Sequence, residues 1–244
     1  MIAVERVYKS FDQPVLRGCS LQVARGEIVG LVGPAAAGKS VLLRSLAGLT
    51  QLDAGSVVVM GQEVVGATAA ELRQVRTHIG MLFQNVALFD FMSVFENVAF
   101  PLRRTMRLAA DEIALRVHTE LAAVGLGELA QRAPASLSGG QQRRVGLARA
   151  AVMRPPILLY DEPAAGLDPV STARVFALIR AQRERLGASI LVVSSDVDRV
   201  AQAVDRVAVM HQGRILFEGP PSLAQSSSHQ LVRQFFGEHT HGAA

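Results

Sequence analysis

Cysteine is nearly absent from this chain of 244 residues, where Cys19 stands alone. A single thiol excludes an internal disulfide, fits a reducing compartment and reads as a small buried apolar side chain. Lysine is almost as scarce: only Lys9 and Lys39 occur among 25 basic residues, the rest being arginine. Half of the residues are hydrophobic, yet no run approaches the roughly 18 apolar positions that a membrane-crossing helix needs. Glu5 and Arg6 stand where the apolar core of an export signal would lie, so export is not expected. No repeat of solenoid length and no long disordered linker is visible. The net charge of +4 is spread along the chain. With no basic arm or long coiled coil, nucleic acid is not an expected partner, and an anionic membrane surface is weakly favoured.

What is present is an alternation of strand and helix patterns in a chain long enough for one large domain or a core with an inserted subdomain. Ile28-Val-Gly-Leu-Val32 follows a turn and reads as a short strand buried in a parallel sheet. A helix from Lys39 to about Ala47 is stopped by Gly48. Val57-Val-Val-Met60 and the stretch from Glu63 to Val65 read as a small hairpin, and Met81-Leu-Phe-Gln84 as the end of another strand. Residues 86–154 turn helical, as in 111–124, and Pro155-Pro156 then launches the strand Ile157-Leu-Leu-Tyr160. A helix over 170–186 ends at Gly187, a strand covers 189–194, and 206–217 form a hairpin across Gln212-Gly213. The chain is therefore α/β, with ligands expected at the carboxyl ends of strands.

Two stretches look built for phosphate. Gly33-Pro34-Ala35-Ala36-Ala37-Gly38-Lys39-Ser40 joins the strand at 28–32 to a helix, and its one lysine sits where a compact ammonium can reach phosphate oxygens. Leu137-Ser138-Gly139-Gly140-Gln141 places a glycine pair and a hydroxyl at the start of the helix-compatible run 142–153. Two cradles on a chain with one nucleotide to bind suggest that the second serves a partner's nucleotide. That pairing resembles the ATP-binding cassette (ABC) family, over nearly the whole chain and with every motif in order.

The resemblance implies a P-loop NTPase fold: a RecA-like core with an antiparallel β subdomain and an inserted helical subdomain. A domain over 1–218 is expected, with core 1–85 and 155–218, helical subdomain 86–154 and a tail at 219–244. It implies ATP and Mg²⁺ as ligands. The backbone of residues 33–38 would wrap the phosphates, Lys39 would reach the β and γ groups, and Ser40 would bind Mg²⁺. Gln84 and Asp161 would join Ser40 at the metal, and Glu162 would be the general base acting on water. Phe11 would stack on adenine. Ser138, Gly139, Gly140 and Gln141 would act in trans across an ATP-sandwich homodimer, with Asp168 of Gly166-Leu-Asp168-Pro169 crossing the interface.

The chain departs from the family at three positions. Alanine at 36 replaces the usual glycine, at about 1–2 kcal/mol if the backbone there is left-handed. Val41 replaces a threonine whose hydroxyl supports the α-phosphate. Ser195, in Val193-Ser194-Ser195-Asp196, replaces the histidine that bonds the γ-phosphate, so slow turnover is expected.

Five of the ten phenylalanines fall between Phe83 and Phe100. The segments Met81-Leu-Phe-Gln-Asn-Val-Ala-Leu-Phe89 and Met92-Ser-Val-Phe-Glu-Asn-Val-Ala-Phe-Pro-Leu-Arg103, with Val232-Arg-Gln-Phe-Phe-Gly237, are similar to the ATPase subunits of Mla-type phospholipid transporters. That resemblance implies membrane permease subunits as partners, an MCE-domain lipid-binding protein beside them, and a peripheral place at the cytoplasmic face of the inner membrane. Arg103, Arg104 and Arg107 would face anionic lipid, the permease or only solvent. Two rivals stand beside phospholipid transport: the ATPase of a polar-solute importer, and an ATP-binding switch with little turnover. The histidines at 229, 239 and 241 lack a Cys or carboxylate cluster for a metal, and a flexible tail packing on the partner subunit is expected.

Overall fold

The structure, a computed structural model, describes Met1–Gly237; His239 and His241 lie outside the described residues. The chain forms two compact units, Met1–His78 with the segment from Ser189 onward, and Ile79–Ala188. Residues before 79 give β1 (Ile2–Ser10), β2 (Pro14–Val23), β3 (Ile28–Val32), α1 (Lys39–Leu46), β4 (Ala54–Val59), β5 (Gln62–Glu63) and α2 (Ala69–Thr77). The second unit holds β6 (Ile79–Leu82), α3 (Val94–Thr105), α4 (Ala110–Ala123), α5 (Gly139–Ala151), β7 (Ile157–Asp161) and α6 (Pro169–Leu186). The chain then returns to the first unit with β8 (Ser189–Ser194), α7 (Val197–Ala201), β9 (Arg206–His211), β10 (Arg214–Gly219), α8 (Pro221–Ala224) and α9 (Gln230–Gly237).

In the first unit, β2-β1-β4-β5 make an antiparallel sheet, and β3 runs parallel to both β8 and β9, with β10 antiparallel to β9. Every residue of β3 and β8 is buried, which explains the apolar runs at 28–32 and 190–193: a parallel strand covered on both faces has no polar side. Gly30 is fixed by close packing, since a Cβ there would lie 2.2 Å from the Val200 side chain of α7. Strand β1 resists reading by alternation because its register shifts between Val4 and Val7, where Arg6 adopts φ +45°. The helix α2 begins with a capping box, in which Thr68 and Glu71 satisfy each other's backbone N–H groups.

In the second unit, β6 and β7 are parallel, with Leu82 opposite Tyr160. Helix α5 comes very close to β6: a Cβ on Gly80 would sit 2.0 Å from the Ala150 carbonyl, and one on Gly146 would sit 2.4 Å from Leu82. A buried relay adds polar registration. The Tyr160 hydroxyl donates to Gln182 Oε1 at 2.6 Å, and Gln182 Nε2 donates to the Leu147 carbonyl at 3.1 Å, so β7, α6 and α5 share one chain of bonds.

The tail differs from the flexible segment expected. As far as Gly237 it is ordered into α8 and α9, and Val232 and Phe236, four residues apart, bury one face of α9. The i, i+4 apolar spacing outweighs the Pro, Ser and His content that suggested flexibility. Among the described residues, no helix is long and apolar enough to cross a membrane.

Candidate phosphate-binding site

In the first unit, β3 ends at Val32 and the chain turns through residues 33–38 into α1. Gly33 has φ +147° and lies against β9, where a Cβ would come within 2.0 Å of the Met210 carbonyl. Gly38 has φ +105° and starts α1 without any side-chain cap or acidic residue in the first turn. The helix dipole at this end of α1 favours an anion nearby. Lys39 is buried, and its ammonium donates to the Gly33 and Pro34 carbonyls at 2.8 Å each. The turn between β9 and β10 braces the loop: Gly213 N–H donates to the Ala37 carbonyl at 3.0 Å. Ala36 adopts φ +60°, so the left-handed backbone that glycine would supply free of strain is carried here by alanine. Ala35 and Ala36 are exposed, Pro34, Ser40 and Val41 half-buried, and Ala37 buried.

Ser194 pairs with Val32 in the parallel register, so Ser195 stands one residue beyond the strand end, level with Gly33. It is exposed. Ser194 Oγ accepts from Asp196 N–H at 3.1 Å, and Asp196 in turn caps α7 through Arg199 N–H. Phe11, just past β1, is 62% exposed, with the Lys9 ammonium 5.1 Å from its ring centroid.

In the second unit, Gln84 and the pair Asp161-Glu162 emerge from the same end of β6 and β7. Asp161 is fully buried and Glu162 half-buried, and Glu162 adopts φ +47°, an uncommon backbone for a non-glycine residue. Gln84 is exposed, and its carbonyl accepts from Arg143 of α5, which also donates to the Ala165 carbonyl at 3.3 Å. Arg149, also on α5, donates to the carbonyls of Val86 and, at 2.7 Å, Ala87; both residues have positive φ. Neither arginine was singled out by the sequence reading, where no local pattern separates them from solvent-facing arginines.

Ser138 is the N-cap of α5 in a capping box with Gln141: Ser138 N–H donates to Gln141 Oε1 at 2.8 Å, and Ser138 Oγ accepts from Gln141 N–H at 3.3 Å. The Gln141 carboxamide is thereby engaged within the chain, while the Ser138 hydroxyl keeps its proton for an outside acceptor. A Cβ on Gly139 or Gly140 would meet nothing closer than 3.9 Å or 3.6 Å respectively. The chain's own packing does not require glycine at either position. Asp168 caps α6, accepting from Val170 and Ser171 N–H at 2.9 Å each, and bonding to Ser171 holds its carboxyl below the usual range. The neighbouring Val170 is 79% exposed.

Within the second unit a cavity of about 350 Å³ is lined by Ile79, Met81, Phe83, Phe89, Phe100 and Met153 among others. Phe89 stacks in tilted fashion on Phe100 and Phe91, at 4.9 and 5.8 Å, and Phe91 is 83% exposed. The segment is knotted by Asn97, fully buried, which donates to the carbonyls of Phe89, Met92 and Ser93 and accepts from Phe89 N–H.

A sequence model of the family described as ABC transporter matches residues 16–165. The chain is 45% identical over 206 residues to the methionine import ATP-binding protein MetN of Rhizobium etli, covering 84% of this chain and 57% of that one. It is 38% identical over 235 residues to the probable ribonucleotide transport ATP-binding protein mkl of Mycobacterium bovis, covering 96% and 66%. The chain thus spans somewhat under two thirds of the length of these relatives. Among solved structures it is similar to dimeric MJ0796, a bacterial ABC transporter cassette, with TM-score 0.84 and 30% identity over 91% of this chain and 99% of that chain. It is also similar to cbiO1 from Clostridium perfringens, part of the ABC transporter complex cbiONQ, with TM-score 0.85 and 30% identity over 96% and 93%.

Proposed function

This chain belongs to the ABC transporter family, and we propose that it is an ATP-binding and hydrolysing subunit that dimerises around two nucleotides and drives a membrane permease. The observation that carries this reading is the loop at 33–38, with its left-handed turns, its buried lysine and an uncapped helix start. The donor set suits the ligands. Backbone N–H groups and an ammonium fit a polyphosphate, while the Ser40 hydroxyl, Gln84 carboxamide and Asp161 carboxylate are the hard oxygens that Mg²⁺ takes. When bound, Mg²⁺ would neutralise charge on the phosphates.

In this reading Lys39 exchanges its loop carbonyls for phosphate oxygens, and the residues at 33–38 orient the triphosphate for in-line attack. Glu162 takes the proton of the attacking water. Gln84 orients that water, and Ser195 stands where a donor to the γ-phosphate is wanted. The bare backbone of Gly139 and Gly140, with the Ser138 hydroxyl, closes on the partner subunit's nucleotide, and Asp168 with exposed Val170 approaches the partner. The test is phosphate release by the purified chain, with ATP-dependent dimerisation followed by light scattering. Lys39→Ala should abolish nucleotide binding, and Glu162→Gln should abolish turnover while trapping the ATP-bound dimer. A monomer in saturating ATP would overturn the sandwich.

For the cargo we propose phospholipid moved between inner and outer membranes with an MCE-domain partner, the chain lying at the cytoplasmic face of the inner membrane. The aromatic groove around Phe83, Phe89 and Phe100 supports this, as the seat for an apolar helix of the permease. Similarity to a methionine import protein favours a second reading, a polar-solute importer. Purification from native membranes in mild detergent, with mass spectrometry of proteins and lipids, separates them. Co-purifying MCE-domain protein and phospholipid support the first, and a solute-binding protein supports the second.

A further inference from the structure

The end of β1 holds a small charged assembly that the phosphate chemistry does not use. Asp53 Oδ1 accepts from the Lys9 ammonium at 2.8 Å, and Oδ2 accepts from Ser10 N–H at 2.6 Å. Asp53 N–H donates to the Tyr8 carbonyl at 2.9 Å, and Phe11 N–H donates to the Gln13 carbonyl at 3.1 Å. One residue, Asp53, therefore clamps three consecutive residues, Lys9 and Ser10 through its carboxylate and Tyr8 through its backbone N–H, immediately before the exposed ring of Phe11. Bonding to Lys9 and Ser10 holds the Asp53 carboxyl below the usual carboxylate range, so the clamp is charged at neutral pH. Lys9 is only 15% exposed at its side chain although it lies at the surface of a strand, and its ammonium sits over the Phe11 ring.

We infer that Lys9, held by Asp53, is a positioning residue that presents Phe11 as a one-sided platform for the adenine base. The role rests on Phe11 being the adenine platform. The ammonium covers one ring face and is attracted by its negative quadrupole, so a base can stack only on the other face. Fixing the ring before the base arrives removes an ordering cost from nucleotide binding. Withdrawal of ring electron density toward the cation also favours contact with an electron-rich purine. A lysine suits the task in a chain that otherwise uses arginine: its compact charge satisfies Asp53 and the ring at once, where a planar guanidinium would itself stack on the ring and extend over the platform.

The test is a double-mutant cycle on the full chain, reading the dissociation constants of ATP and of inorganic tripolyphosphate by calorimetry. Lys9→Met keeps the aliphatic stem and removes the charge. It should weaken ATP about threefold and leave tripolyphosphate unchanged. Phe11→Ala should weaken ATP about tenfold and abolish the effect of Lys9→Met. Asp53→Asn, with the lysine intact, should shift ATP in the same direction as Lys9→Met. If Phe11→Ala weakens ATP while Lys9→Met does not, the positioning role is overturned and the stacking role stands. If Lys9→Met weakens tripolyphosphate equally, the lysine acts on phosphate charge or on folding, and the inference is overturned. No effect of Phe11→Ala would remove the adenine platform itself, while leaving the phosphate loop reading intact.

Discussion

Replacing Ser195 by histidine should raise the rate of ATP hydrolysis at saturating nucleotide. The parallel register sets Ser195 level with Gly33, at the mouth of the phosphate loop, and the residue is exposed, so an imidazole can be accommodated without repacking the core. A serine hydroxyl can donate one bond but is neutral and shorter than histidine by the depth of the ring, so in the proposed reading it would reach the γ-phosphate only through water. A donor aimed at charge that develops in the transition state contributes about 2–4 kcal/mol. At 1.4 kcal/mol per tenfold, restoring one should raise kcat by roughly 30- to 1,000-fold. The ATP dissociation constant should change far less, because the gain appears mainly in the transition state. Steady-state phosphate release from wild type and Ser195→His, each with its Glu162→Gln partner as blank, gives the answer. An unchanged kcat would show that Ser195 does not limit turnover and would refute the account of its chemistry.

Four further outcomes follow from particular contacts. Ala36→Gly relieves about 1 kcal/mol of left-handed strain against about 0.5 kcal/mol of added chain entropy. It should raise Tm by about 1–2 °C, and a lower Tm contradicts the backbone assignment. Arg185→Ala strips a two-point partner from Glu120, whose side chain is 3% exposed, and should cost about 3 kcal/mol or about 6–12 °C in Tm; a loss under 2 °C would show the pair to be dispensable. Burial alone would raise the Glu63 carboxyl, but the Ser56 hydroxyl and the N–H groups of Val65, Val57 and Val64 outweigh it, so its pKa lies below the usual 4.5. A depressed carboxyl contributes stability above its unfolded pKa and loses it as pH falls through the folded value. Glu63→Gln should therefore lower Tm at pH 7 and have a vanishing effect as the pH falls well below 4.5; equal losses at both pH values would contradict the sign. Burial, with the nearby Glu218 charge, pushes the Cys19 thiol up to about 12. Iodoacetamide at pH 8 should leave it unmodified until the chain is unfolded, and rapid labelling of the native chain would refute that burial.

The buried parallel strands were the most legible part of the sequence. An unbroken apolar run such as Ile28-Val-Gly-Leu-Val32 has few other uses, and β3 has the same bounds in sequence and structure. Helix ends marked by glycine were also readable, as at Gly187, which takes φ +63° at the end of α6. Strand β1 was hidden because its bulge at Glu5-Arg6 moves the buried residues from Val4 to Val7 and breaks the period of two. Helix α9 was hidden because its apolar pair sits in a polar, low-complexity tail. At the site, residue types could locate the loop at 33–40 and the acidic pair at 161–162, and the glycine usual at 36 raised left-handed backbone there, but nothing signalled that of Glu162. The clamp between Lys9 and Asp53 joins residues 44 positions apart and leaves no local trace.

The arginines of α5 tie it to neighbouring loops. Three of its arginines each span two backbone carbonyls: Arg143 holds Gln84 and Ala165, Arg144 holds Val124 and Gly125, and Arg149 holds Val86 and Ala87. A planar fork with five donors bridges two peptide groups in a fixed geometry; an ammonium, as at Lys39, can also reach two carbonyls but imposes no plane on them. Val86 and Ala87 both take left-handed backbone, uncommon for any non-glycine residue and more so for a β-branched one. The bonds from Arg149 offset the cost of that conformation, of order 1–3 kcal/mol per residue. The same helix begins with Ser138, Gly139 and Gly140, so the residues proposed to grip the partner's nucleotide and the loop beside the aromatic groove are attached to one rigid rod. A shift of α5 cannot leave residues 84–87 behind without breaking their three bonds to Arg143 and Arg149. A force applied at Gly139 therefore reaches Gln84, Val86 and Ala87 through hydrogen bonds that exist before any ligand binds.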